Sequence, residues 1–177
     1  MAKIAKAAKV QKAAKTTPSS QKPAAASLER AEITESWRAL AEERCDSLGE
    51  RLTTARLGAY AELVAAEKSL TAYELIALLE LRQDRKIAPL TVYRHLDFLT
   101  RVGLVHRIES TQSYVVCAHP AHQHHSQHLI CSACGSVEEF HSAPMEDVLD
   151  EVMAKSGFQP ARAVVEVSGV CGDCSET

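Results

Sequence analysis

The chain has 177 residues, 46% apolar and 24% charged. That balance excludes a wholly disordered chain and leaves room for one medium domain or two small ones. No apolar run approaches the ~20 residues of a membrane span and no charged-then-apolar leader is read, so the expected location is the cytoplasm, with no membrane partner. The net charge of −3 hides an asymmetry, +6 over residues 1–30 and −9 over the rest. Binding to nucleic acid would therefore depend on a local concentration of positive charge.

Residues 1–30 are Lys/Ala-rich and then Ser/Pro-rich, which reads as a solvated basic tail able to add non-specific phosphate attraction. From about Leu28 the spacing of Ile33, Trp37, Leu40 and Ala41 predicts a helix ending near Leu48-Gly49. A second helix is expected after Thr53-Thr54. Thr71 and Glu74 form a capping box that starts a third. Pro89 suits a first helical position, and the helix it opens runs to Val102 and is stopped by Gly103. Leu104–Glu109 and Ser113–Cys117 read as two strands around a Ser110-Thr111-Gln112 turn. Helices followed by such a ribbon outline a winged helix-turn-helix over residues 31–118.

Residues 119–177 read differently. His119–His128 is a His-rich, irregular stretch, followed by strands His128–Cys131 and Val137–Phe140. A helix over Glu146–Lys155 closed by Gly157 and a strand over Arg162–Val167 complete a small α/β unit. Such a unit is too small to bury a large core alone, so a metal or a partner chain is expected to complete it.

Six cysteines and eight histidines, seven of the latter from His106 to His141, point to metal. Cys131-Ser-Ala-Cys134 and Cys171-Gly-Asp-Cys174 each let one turn present two sulfurs to a single ion. Two such turns complete a tetrahedral S₄ shell, with Gly135 and Gly172 expected to permit the turns. Four protein ligands leave no open position, so this site is structural. A looser group comprises His106 and Cys117 on the ribbon, His119, His122, His124, His125 and His128 after it, and Glu138, Glu139 and His141 beyond the knuckle. A metal held by some of these would fix the angle between the two units, and a mixed His/Cys/Glu set suits zinc. In the helix from Pro89, Val92, Leu96 and Leu99 make a buried stripe. Thr91, Arg94 and His95 are expected to emerge together near its N-terminal end, where a recognition helix meets base edges. Arg94 can offer guanine two donors, and Tyr93 can reach a thymine methyl or a phosphate. Cys45 reads as packing. No catalytic array appears, so an enzyme acting on a small-molecule substrate is not expected. A zinc hydrolase with Glu138 as base would need an open metal position and a substrate cleft.

Leu70-Thr-Ala-Tyr-Glu-Leu75, Thr91-Val-Tyr-Arg94 and Gly103-Leu-Val-His-Arg107, followed by the two CxxC pairs, resemble the ferric uptake regulator family from about Glu32 to Cys174. The resemblance implies a homodimeric, metal-activated transcriptional repressor with an N-terminal winged helix and a C-terminal α/β dimerisation domain. Within the family the chain looks like the zinc uptake regulator branch. His125-Ser126-Gln127-His128 breaks the His-His-Asp-His run of iron sensors, and Cys117 ends the wing as in zinc sensors. Carried over, the regulatory zinc ligands would be His106, Cys117, His124 and Glu139, with His125, His128 and His119 as substitutes in the variable loop. The structural zinc would sit on Cys131, Cys134, Cys171 and Cys174, giving two zinc ions per protomer. Gln127 and Ala163 would not support the family's additional metal site. Tyr73 and Arg94, assisted by Tyr93, would contact a double-stranded DNA operator. The implied function is zinc-dependent repression of zinc-uptake genes, and the alternative is an iron(II)- or manganese-sensing regulator of the same fold.

Overall fold

The computed structural model describes residues 24–66, 68–120 and 126–175. The basic tail before Ala24, and with it His122, His124 and His125, lies outside the described residues. Helices α1 (Ala24–Ser47), α2 (Thr54–Ala66), α3 (Ala72–Gln83) and α4 (Pro89–Arg101) form the helical body. Strands β2 (Val105–Ile108) and β3 (Ser113–Val116) make the wing, and a two-residue strand β1 (Leu70–Thr71) adds to its β3 edge. Sequence reading missed β1. It pairs Leu70 with Tyr114 and Thr71 with Ser113, so the residue that caps α3 is also held by the wing.

Local chemistry accounts for the element boundaries. The Thr71 hydroxyl accepts from the Glu74 amide at 3.3 Å, while the Glu74 carboxylate accepts from the Thr71 amide at 2.7 Å. Both otherwise orphaned donors of the first turn are thereby satisfied. Pro89 stands in the first turn of α4, and Gly103, at φ +77°, takes the left-handed turn that ends it. The Leu104 amide then returns to the Leu99 carbonyl at 2.9 Å and the chain enters β2. Arg44 of α1 donates to the Val102 carbonyl at 2.9 Å, tying the first helix to the end of the fourth.

The core lies in this N-terminal unit. Ala41, Tyr60, Leu75, Val92, Leu96, Leu99 and Leu104 are fully or almost fully buried, and Trp37 packs edge-on against Tyr60 with centroids 6.4 Å apart. Each such aliphatic side chain contributes about 1.5–3 kcal/mol on burial. Cys45 is part of this core, as expected of a packing residue.

The C-terminal unit comprises β4 (Ser126–Cys131), β5 (Val137–Glu139), α5 (Ala143–Ser156), β6 (Val164–Gly169) and the short α6 (Gly172–Ser175). Its sheet has the order β5-β4-β6, with β4 antiparallel to β5 and parallel to β6. The parallel pairing follows from the crossover through α5, which a strand–helix–strand order requires. His128, expected to begin this strand, lies inside β4 and is fully buried, and the strand starts two residues earlier, at Ser126. α5 buries no residue within the protomer. No described helix is long and apolar enough to cross a membrane.

This division of burial predicts unequal sensitivity to mutation. Leu96→Ala should cost ~2–5 kcal/mol, because the site cannot collapse around the missing methyls. Thr71→Ala, which loses one cap, should cost ~1 kcal/mol. Urea unfolding followed by Trp37 fluorescence measures both, and equal costs would contradict the placement of the core.

Candidate metal centres and nucleic-acid interface

The four-cysteine site is assembled by two turns that the β4–β6 pairing brings side by side. Cys131 ends β4 and is the parallel partner of Gly169, so the chain after β6 arrives beside the knuckle after β4. The Gly135 backbone, at φ +74°, lets that knuckle close and return its amide to the Cys131 carbonyl at 2.9 Å. Gly172, expected to serve a second such turn, starts α6 without a positive φ; a helical turn presents Cys171 and Cys174 instead. One ligand atom from each of Cys131, Cys134, Cys171 and Cys174 lies within 4.8 Å of the others. The sulfurs of Cys134 and Cys171 are 3.8 Å apart. A tetrahedron with Zn–S bonds of ~2.3 Å has an edge of ~3.8 Å, so the spacing fits a zinc ion and is far too long for a disulfide.

The electrostatics agree. Backbone N–H groups of Cys134, Cys171 and Ala133 converge on the Cys131 sulfur and lower its pKa to about 6. The Cys171 amide is 3.3 Å from that sulfur. The Ser136 hydroxyl, 3.2 Å from Cys134, holds its thiol below the usual range. Cys174, facing Cys171 and Cys134, is pushed up to about 12. Four crowded thiols cannot all ionise against one another, and full deprotonation requires a cation among them.

A second cluster joins the two units. His106 projects from β2, Cys117 follows β3, and Glu139 ends β5. One ligand atom from each lies within 4.8 Å of the other two. Glu139 has its oxygens divided between two tasks. Oε2 accepts from the Ala118 amide at 2.8 Å, which leaves Oε1 3.2 Å from His106 Nε2 and 4.0 Å from Cys117 Sγ. Cys117 is fully buried, and burial, then the Glu139 charge, pushes its thiol up to about 12. A buried imidazole, thiol and carboxylate converging on one point make a donor set suited to zinc. Three of the four expected ligands thus meet. The fourth, His124, lies outside the described residues.

His128 packs edge-on against His106, with ring centroids 5.3 Å apart, but belongs to neither converging group. The other site residues named from the sequence fall elsewhere. Glu138 is exposed and paired with Leu129, and His141 pairs with Glu146 at 3.4 Å. The Gln127 amide donates to the same carboxylate at 3.2 Å, occupying with a hydrogen bond a place where a further metal site would want a ligand.

Tyr73 is 72% exposed at the start of α3, Tyr93 38% exposed on α4, and Arg94 is exposed beside it. Tyr73, Tyr93, Arg107, Gln112 and Tyr114 line a concavity between α3, α4 and the wing. That is the arrangement of a recognition helix flanked by a wing. Of the three residues expected to emerge together, Thr91 and Arg94 are exposed but His95 is half-buried. It turns towards α2, where burial and the nearby Arg56 lower its pKa. Leu90, 61% exposed, stands at the tip in its place.

The four-thiol site should govern the C-terminal unit alone. Cys131→Ser is expected to lose that metal and the order of β4–β6, since structural zinc sites contribute ~10 kcal/mol or more, while α2–α4 keep their core. Amide NMR spectra would show it as selective loss of dispersed C-terminal peaks. A sheet that stays folded without the metal would contradict the assignment.

Residues 47–168 match the model of the ferric uptake regulator family. The zinc uptake regulation protein of Escherichia coli K12 is 39% identical over 140 residues, covering 78% of this chain and 81% of that protein. The ferric uptake regulation protein of Neisseria meningitidis serogroup B is 29% identical over 109 residues, 62% and 74% of the two chains. A solved zinc uptake regulator in complex with zinc and DNA superposes with a TM-score of 0.77 at 38% identity, covering 81% of this chain and 95% of that one. The crystal structure of holo XcZur gives 0.73 at 36%, covering 81% and 99%. With a family match over residues 47–168 and 39% identity to a zinc uptake regulation protein, the chain belongs to the ferric uptake regulator family.

Proposed function

We propose that the protein is a zinc-responsive, DNA-binding repressor of zinc-uptake genes that acts as a homodimer with two zinc ions per protomer. The observation that carries this reading is the cluster His106, Cys117 and Glu139, which takes two ligands from the winged unit and one from the C-terminal unit. The buried thiol disfavours the hard-oxygen environment of a manganese or peroxide sensor. Greater identity to the zinc uptake regulation protein of Escherichia coli than to the ferric uptake regulation proteins of Neisseria points the same way.

The residues divide the work as follows. Cys131, Cys134, Cys171 and Cys174 close the C-terminal unit. His106 Nε2, Cys117 Sγ and Glu139 Oε1 form the sensing site, with the Ala118 N–H orienting the carboxylate and a residue of the His-rich loop, His124 by family motif, as fourth ligand. A zinc ion there supplies a charge that all these ligands share. Ligands that meet only when the wing lies against β5 favour that one arrangement of the units, and ligand binding shifts the population towards it. Tyr73, Tyr93 and Arg94 then face the operator. Arg94 is suited to guanine and Tyr93 to a thymine methyl or a phosphate.

Dimerisation is supported by what the C-terminal unit leaves uncovered. Leu129, Val148, Val152, Phe158, Val167 and Val170 are 42–67% exposed. β6 is an edge strand of the described sheet, a position where a second copy could add.

Two measurements test the reading. Using a duplex selected from a random pool by the zinc-loaded protein, Cys117→Ser should abolish the zinc-dependent gain in DNA affinity, of order 5- to 150-fold for allosteric coupling, while the fold is retained. An unchanged zinc response would overturn the ligand assignment. Because the Cys117 pKa of about 12 lies above any working pH, the folded thiol keeps its proton from pH 6 to pH 9. Zinc entry should therefore release about one proton from Cys117 at every pH in that window, read by an indicator dye in weak buffer. Absence of this release, or its persistence in Cys117→Ser, would contradict thiolate ligation.

A further inference from the structure

The two units are also joined by protein groups alone. β6 carries Glu166 in the middle of a β-branched strand, in register with His128 of β4. Its carboxylate reaches the turn of the wing, where it accepts from the Glu109 amide at 2.6 Å and the Ser110 amide at 2.9 Å. Arg162, just before β6, donates to the Glu109 carboxylate at 2.8 Å and to the Arg107 carbonyl at 3.3 Å. Arg107 pairs with Glu109 at 3.4 Å and donates to Gln112, so the turn is braced from within as well. Four contacts therefore fix residues 107–110 of the wing to β6 and the residue Arg162 just before it.

These contacts bear on the metal site through a short path. His106 is adjacent to Arg107, which the clasp holds by its carbonyl, and its ring rests against His128. His128 is in turn the sheet partner of Glu166. The clasp and the convergence of His106, Cys117 and Glu139 are present in one arrangement of the two units. An interaction that favours this arrangement raises the fraction of molecules competent to bind metal, and apparent affinity scales with that fraction.

We propose that Glu166 and Arg162 are positioning residues for the sensing site: by holding the wing turn against β6 they bring His106 and Cys117 within reach of Glu139, and so set the zinc concentration at which the protein responds. The inference rests on the zinc-sensing reading above. Neither side chain belongs to a group of converging ligands, and neither lies on the face formed by Tyr73, Tyr93 and Arg94. Loss of the clasp is expected to reduce the competent fraction about tenfold.

The test compares wild type, Glu166→Ala and Arg162→Gln, with all four structural cysteines intact, in zinc-buffered titrations of binding to the selected duplex. Both variants should need roughly tenfold more free zinc for half-maximal binding, yet reach the wild-type affinity at saturation and keep the four-thiol metal. Hydrogen–deuterium exchange without sensing-site zinc gives a metal-independent readout: the Glu109 and Ser110 amides should be protected in wild type and exchange rapidly in Glu166→Ala. Unchanged midpoints in both variants, with a normal zinc response in wild type, would overturn the inference and leave the function standing. A loss confined to saturated DNA affinity would also overturn it, by making the clasp an orienter of the wing on DNA. No zinc response in wild type would instead sink the zinc-sensing reading itself. Should Glu166→Ala not fold, Arg162→Gln, which alters an exposed side chain, decides the question.

Discussion

Glu139 must satisfy two units at once. One of its oxygens is held by the Ala118 amide at 2.8 Å and the other lies 3.2 Å from the His106 imidazole. The carboxylate comes from β5, whereas both groups it meets leave the wing. A buried carboxylate is costly unless paired, and here the pairing exists only while the two units keep one relative position. The convergence of His106, Cys117 and Glu139 and the seating of the wing against β5 thus share a single contact geometry. A cation that joins the same three donors strengthens an arrangement that hydrogen bonds already favour.

Burial is unevenly distributed, and this explains why cysteines recur where they do. The winged unit has a continuous apolar core from Ala41 to Val105 and stands on it. The C-terminal unit buries little beyond Gln127, His128, Ile130 and Cys131, and α5 buries nothing. Such a unit cannot offset its ordering entropy by apolar burial alone. The parallel β4–β6 pairing, itself dependent on a long crossover, is fastened at its end by the four thiols. Val148, Val152 and Phe158 remain exposed on the described protomer, the surface that the proposed dimer would cover.

Much of this was legible in the sequence because the signals were local or carried by spacing. Thr71 and Glu74 form the capping box expected of them, Pro89 and Gly103 bound α4, and the two CxxC turns meet. His106, Cys117 and Glu139 converge as the family motif implied. The misses have a common cause in long-range pairing. β1 is two residues long and exists only because β3 lies beside it, so no periodicity could announce it. β4 starts at Ser126 and not at His128, because its pairing with β6 begins two residues earlier, at Ser126 with Val164. His95 was placed with Arg94 by proximity in sequence, but the helical turn sends it towards Arg56. Glu166 carried a usable signal: a lone carboxylate flanked by Val165 and Val167 in a strand has to find donors, and it finds them on the wing.

Zinc sensing by this protein requires a second metal held jointly by the two units. Native mass spectrometry of zinc-equilibrated protein tests this most directly, using wild type, Cys117→Ser and Glu139→Ala, one ligand removed from each side. The prediction is two zinc ions per protomer in wild type and one in each variant. Two ions retained in Glu139→Ala would confine the second site to the wing and contradict the bridging role.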